Sequence, residues 1–182
     1  MIDLPFRPAK QLAALIRGKK VGCLELLETY IARMEKYNPR LNAIIATDLE
    51  SARRRARAAD RALARKEVWG PLHGVPMTIK ESYDVVGMPT TWGVPELKDN
   101  YPKRNALAVD RLLRAGVVLF GKTNVPLYLA DWQSYNSIYE AEVRKLTANG
   151  VETRNEIMDF HNRKLVFISG PEGITVELSE WH

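Results

Sequence analysis

The sequence predicts an α/β fold in which helices surround a mostly parallel sheet, followed by a short α+β tail of one helix and three antiparallel strands. Two patterns carry that expectation. Up to about residue 139, apolar stripes at helical spacing alternate with short β-branched runs, the grammar of parallel strands joined through helices. From Glu140 the alternation stops, and one helical stretch is followed by three extended runs with no helix between them. The break divides the chain into residues 1–139 and 140–182. Composition agrees with a folded chain: 46% of the 182 residues are apolar and 27% charged, as in ordinary globular proteins.

The elements follow in order. Residues 10–17 place Leu12, Leu15 and Ile16 on one helical face, and Gly18 supplies a C-terminal cap. Leu24, Leu27, Ile31 and Met34 form a longer stripe, expected to stop at Asn38-Pro39 because the residue before a proline avoids the helical region. Residues 41–47 are short, apolar and partly β-branched, so a buried strand is expected there. Asp48 then caps a helix rich in arginine, with Ala52, Ala56, Ala59 and Ala62 on its inner face. A glycine–proline turn at residues 70–74 leads into a strand over 75–79. Ala106, Val109, Leu112 and Leu113 mark a helix closed by Gly116, and residues 117–120 form a second buried strand that ends in Gly121-Lys122-Thr123-Asn124. In the tail, residues 140–149 read as a helix closed by Gly150. Residues 151–157, 164–169 and 174–181 read as strands, the last two joined through a Pro171-Glu172-Gly173 turn.

Charge and composition exclude several classes of function. The formal net charge is +5, and residues 48–66 carry most of it, with seven basic side chains against three acidic ones. No aromatic residue interleaves those arginines as a stacking platform would require, so they read as a solvated helix face and not as a nucleic-acid surface. No stretch approaches the roughly 18–20 apolar residues of a membrane span. The first residues lack the apolar core of a secretory signal. Cys23 is the single cysteine and cannot form an internal disulfide, so a cytoplasmic location is expected.

Six segments then carry a resemblance over about residues 8–139. They are Asn38-Pro39-Arg40-Leu41-Asn42-Ala43, Gly70-Pro71-Leu72-His73-Gly74-Val75-Pro76, Ile79-Lys80-Glu81-Ser82, Thr90-Thr91-Trp92-Gly93, Ala115-Gly116-Val117 and Gly121-Lys122-Thr123-Asn124-Val125-Pro126. In this order they resemble the amidase-signature family, whose members hydrolyse carboxamide C–N bonds. The resemblance implies a Ser–Ser–Lys arrangement in which an uncharged lysine relays a proton through a bridging serine to a nucleophilic serine, while backbone N–H groups stabilise the oxyanion. The family lysine falls on Lys80. A lysine can act as a base near neutrality only when desolvated, and the end of a buried strand is expected to desolvate it. Glu81 stands where most members carry aspartate.

After Tyr135-Asn136-Ser137-Ile138-Tyr139 the family continues into a glycine- and serine-rich stretch that bears both serines, whereas this chain turns to Glu140-Ala141-Glu142-Val143. Ser134 and Ser137 match neither family serine, so Lys80 alone is carried over. Residues 140–182 are instead similar to the vicinal-oxygen-chelate family of glyoxalases and ring-cleaving dioxygenases. The similarity rests on Leu146-Thr147-Ala148-Asn149-Gly150-Val151 and on residues 167–178. It implies a partial βαβββ unit and places Glu177 at the position of a metal-binding carboxylate, while His161 and His182 match no ligand position. The expected function is therefore amide hydrolysis by family, in a chain truncated before the catalytic serines and inactive alone. The alternative is a divalent-metal protein built by pairing of the tail unit through Glu177; otherwise no cofactor is expected. The expected partners are a small-molecule amide and further copies of the chain meeting through exposed apolar faces, with neither nucleic acid nor membrane.

Overall fold

The computed structural model describes residues 4–131, 134, 136–139, 158–160, 163–169 and 175–181, and for 159–181 only the backbone. Helices α1 (Ala9–Arg17) and α2 (Cys23–Leu41) lead into strand β1 (Ile44–Thr47) and helix α3 (Leu49–Ala64). Strand β2 (Pro76–Lys80), helix α4 (Leu107–Arg114) and strand β3 (Val118–Thr123) follow. The three strands form one sheet in the order β1-β3-β2. Strands β4 (Met158–Phe160), β5 (Arg163–Ser169) and β6 (Thr175–Trp181) form a second sheet in sequential order, antiparallel throughout. Among the described residues no helix is long and apolar enough to cross a membrane.

The first sheet is mixed, where the sequence predicts a mostly parallel one. Strands β2 and β3 are parallel, and β1 runs antiparallel to β3. The β2–α4–β3 segment is a crossover unit, which forces its two strands to run the same way. No such crossover joins β1 directly to β3, so β1 is free to take the opposite direction, as edge strands of such sheets commonly do.

Helix α2 also departs from expectation by passing through Pro39 to Leu41. Pro39 lies in the last turn, where the helix ends on Asn42 in the left-handed region (φ 48°), whose N–H donates to Asn38 O at 2.7 Å. The Asn38 side chain then takes over what the chain needs next: its amide donates to Ile44 O and its Oδ1 accepts from Ile44 N, each at 2.8 Å. The tight turn removes residues 41–43 from the predicted strand and starts β1 at Ile44.

Helix α3 forms as predicted, with Asp48 Oδ1 accepting from Ser51 N at 3.0 Å, which satisfies one of the unpaired N–H groups of the first turn. Its buried alanines Ala52, Ala56 and Ala59 pack with Leu26, Leu27 and Ile31 of α2 and with Val118 and Phe120 of β3 in the main core. Polar residues of α3 close the ends of its neighbours. Asp60 accepts from Cys23 N at 2.7 Å and Leu24 N at 3.1 Å, placing a carboxylate at the N-terminus of α2, where the helix dipole favours it. Arg55 donates to Leu113 O at 2.6 Å and Val117 O at 2.7 Å, placing a cation at the C-terminus of α4. Arg55 thus does structural work that a solvated helix face does not predict.

In the tail, β5 and β6 match the predicted strands to within a residue and pair from Arg163↔Trp181 to Ser169↔Thr175. The predicted helix 140–149, the strand 151–157 and the turn at Pro171-Glu172-Gly173 lie outside the described residues.

Candidate active site

The turn before β2 sets where that strand begins. Gly74 sits at φ +75°, and a Cβ there would stand 2.2 Å from Cys23 Sγ, so only glycine lets the turn press against α2. The buried His73 holds the same turn, with Nδ1 accepting from Trp69 N and Nε2 facing Ala59 O, each at 3.1 Å. Since a carbonyl only accepts and an N–H only donates, the ring proton lies on Nε2. Both ring nitrogens are thereby committed to the fold.

Lys80 is the last residue of β2, opposite Thr123 of β3. Its side chain is exposed, contrary to the desolvation expected at this strand end. The physical reason is the strand order: β2 is an edge strand among the described residues, with β3 on one side only.

The next residue behaves in the opposite way. Glu81 is fully buried, and its N–H donates to Thr123 O at 2.9 Å. Its carboxylate accepts from Thr91 N at 2.5 Å, Trp92 N at 3.0 Å and the Tyr139 hydroxyl at 3.2 Å. The loop it holds contains Trp92 at φ +57° followed by Gly93 at φ +72°, a costly backbone for a non-glycine residue that persists only where the surroundings fix it. Beside it lies Lys122, also fully buried, which donates from Nζ to Pro89 O and to Thr90 Oγ1, the latter at 2.8 Å. Burial pushes the Lys122 ammonium down to about 8, an effect that the carboxylates of Glu81 and Asp84 oppose. The Tyr139 phenol is pushed up to about 12, chiefly by burial.

Asn136 ties the chain beyond the first sheet to the same place. Its amide donates to Asn124 Oδ1 at 3.1 Å and Val125 O at 2.7 Å, and its Oδ1 accepts from Ile138 N and Tyr139 N, each at 3.0 Å. The result is a rigid frame around the strand end that carries Lys80. Sequence reasoning assigned no role to Lys122, Asn136 or Tyr139. The available signal was a lysine placed between Gly121 and Thr123 in a strand expected to be buried.

The frame fixes the backbone around the end of β2 and commits its own polar groups. The N–H groups of Thr91 and Trp92 serve Glu81, so neither is open to an oxyanion. Ser134 and Ser137 are both exposed. Glu177 lies on β6 opposite Phe167; its side chain, like His161 and His182, lies outside what the structure describes. Among the described residues no group of three or more His, Cys, Asp or Glu side chains could hold a metal ion.

The amidase family profile matches residues 25–155. An acylamidase of Rhodococcus erythropolis is 40% identical over 124 residues, covering 68% of this chain and 26% of that protein. An indoleacetamide hydrolase of Bradyrhizobium diazoefficiens is 37% identical over 137 residues, covering 75% of this chain and 25% of that enzyme. Among solved structures, a fatty acid amide hydrolase superposes with a TM-score of 0.71 at 21% identity, over 75% of this chain and 24% of that one. The last similarity concerns the fold alone. The chain spans about a quarter of the length of these relatives.

Proposed function

The chain belongs to the amidase family, and we propose that its chemistry is hydrolysis of carboxamide C–N bonds, with Lys80 as the base. The observation that carries this reading is the position of Lys80. It ends β2 at the carboxyl end of the parallel pair, the end at which open α/β sheets bind their ligands, and it adjoins the frame built on Glu81. In this reading the polypeptide that brings the serines also covers the exposed end of β2 and takes Lys80 out of water, so that Lys80 can accept, through a bridging serine, the proton that a nucleophilic serine loses as it attacks the amide carbon. The proton then passes to the departing amine, and a water deprotonated through the same relay attacks the acyl-serine ester, releasing the carboxylic acid and restoring the serine.

The 182 residues contain no Gly-Gly-Ser-Ser-Gly-Gly segment. The nucleophile, its relay and the oxyanion donors therefore come from polypeptide outside these residues. Alone, the chain is inactive, because the members of such a triad act as a unit and a base without its nucleophile contributes little.

A chimera tests the reading. Residues 1–139 replace the matching segment of the Rhodococcus acylamidase, which supplies the remaining groups. The expected outcome is amide turnover that falls by about 10²- to 10⁴-fold in the Lys80→Ala version, the range typical of a lost general base. A soluble chimera whose turnover ignores that substitution would show that Lys80 is not the base.

A further inference from the structure

Helix α2 and the first sheet enclose a groove of about 420 Å³, within the size range of small-molecule sites, about 300–1,000 Å³. Pro76, Met77 and Thr78 at the start of β2 line it, whereas Lys80 ends that strand. Its walls are apolar and include Met34, Leu41, Ile44, Met77 and Phe120. Arg33 and Tyr37, both exposed, lie on the same groove. The Arg33 guanidinium is held over the rings of Phe6, at 4.9 Å, and Tyr37, at 4.8 Å. Lys36 stands 5.1 Å from the Tyr37 ring. Among the described residues Arg33 has no carboxylate partner, and the Tyr37 hydroxyl has no hydrogen bond. Asn38, which also lines the groove, is spent on Ile44.

An apolar groove lined by a guanidinium without a carboxylate partner and by a phenol without a hydrogen bond suits an amphiphilic anion. We propose that the groove binds a small amphiphilic carboxylate, with the apolar tail against Met77 and Phe120 and the head accepting from Arg33 and Tyr37. The planar guanidinium gives a carboxylate two parallel donors, and stacking between two rings removes the rotamer freedom that binding would otherwise cost. The proposal is independent of the role given to Lys80.

The test is calorimetric titration of the full 182-residue chain with sodium decanoate below its micellar concentration. Saturable one-to-one binding with Kd below about 1 mM is expected. Arg33→Gln should weaken it by about tenfold or more, Arg33→Lys should recover part of the loss, and Lys80→Ala should leave it unchanged. Met77→Trp, which fills the groove, should abolish it. Arg33 is exposed, so its variants are expected to keep the parent's circular dichroism. The proposal is overturned if decanoate does not saturate, if 1-decanol binds equally well, or if Arg33→Gln has no effect. It is equally overturned if sedimentation shows two copies closing the groove on each other, or if the chain binds anionic phosphatidylglycerol vesicles but not free decanoate.

Discussion

Lys80 and Lys122 stand near the same end of two adjacent parallel strands, yet one is exposed and the other fully buried. Two features of the sheet produce the difference. Strand β2 lies at the edge and β3 at the centre, so only the end of β3 is enclosed from both sides. The register between them also shifts, with Met77 opposite Leu119 but Thr78 opposite Gly121. Phe120 is the extra residue of this bulge. It packs with Val118 in the main core, while Leu119 packs against Val85, Met88 and Val109 on the other side. Beyond the bulge the alternation is reset, and Lys122 reaches Pro89 and Thr90 on the side of Met88. A bulge beside a functional site commonly re-aims a side chain in this way. Two lysines near one end of the same strand pair thus differ in place: Lys122 braces the loop around Pro89 and Thr90, and Lys80 faces solvent.

The largest expected effect breaks the buried half of this comparison. Lys122→Met removes the donors to Pro89 O and Thr90 Oγ1 and leaves the Glu81 carboxylate buried without its nearby cation. Denaturant unfolding should show a loss of about 3–5 kcal/mol, the usual result of breaking a buried charge arrangement from one side. Combined with Glu81→Gln, the double variant should lose less than the sum of the two single losses, because both side chains hold the same loop.

An intermediate effect appears in the pH dependence. Folding lowers Lys122 from its ordinary value of 10.5 to about 8, so between those values the unfolded chain binds a proton that the folded chain does not. Stability contributed by this group therefore rises with pH across that window. Cys23 and Tyr139, both pushed up to about 12 by burial, act in the opposite sense above about pH 9. The measurement is accordingly the difference between the parent and Lys122→Met in unfolding free energy from pH 7 to 10.5. That difference should grow with pH, and a flat difference would remove Lys122 from the buried network.

The smallest expected effect belongs to the exposed half. Lys80→Ala should change unfolding free energy by no more than about 0.5 kcal/mol, as for other surface substitutions away from structural features. A larger loss would mean that Lys80 is part of the frame.

Much of this arrangement was legible in the sequence. The helical stripes, the Asp48 cap and the turn at Gly70–Gly74 depend on local spacing and stereochemistry, and each lies close to its predicted position. The family segments drew attention to the end of β2, although Lys80 there is exposed where burial was expected. Strand direction was not legible, because β1 joins the sheet through a distant pairing with β3 that no local pattern encodes. The side of the sheet on which Lys122 is buried depends on the bulge at Phe120. Strict alternation would have put Val118, Phe120 and Lys122 on one face, and a single extra residue undoes that inference. The pairing of Glu81 with Thr91 and Trp92 joins positions ten and eleven residues apart through a loop whose left-handed residue is a tryptophan, and composition gives no warning of it.

The role proposed for Lys80 is that of a base whose nucleophile lies outside these 182 residues. The most direct measurement is turnover of simple aryl and aliphatic amides by the highly purified chain, beside Lys80→Ala. The expected result is no turnover above the uncatalysed rate for either protein. Turnover by the parent that Lys80→Ala abolishes would contradict the claim and show that a hydroxyl within this chain, Ser134 or Ser137 among the exposed ones, serves as the nucleophile.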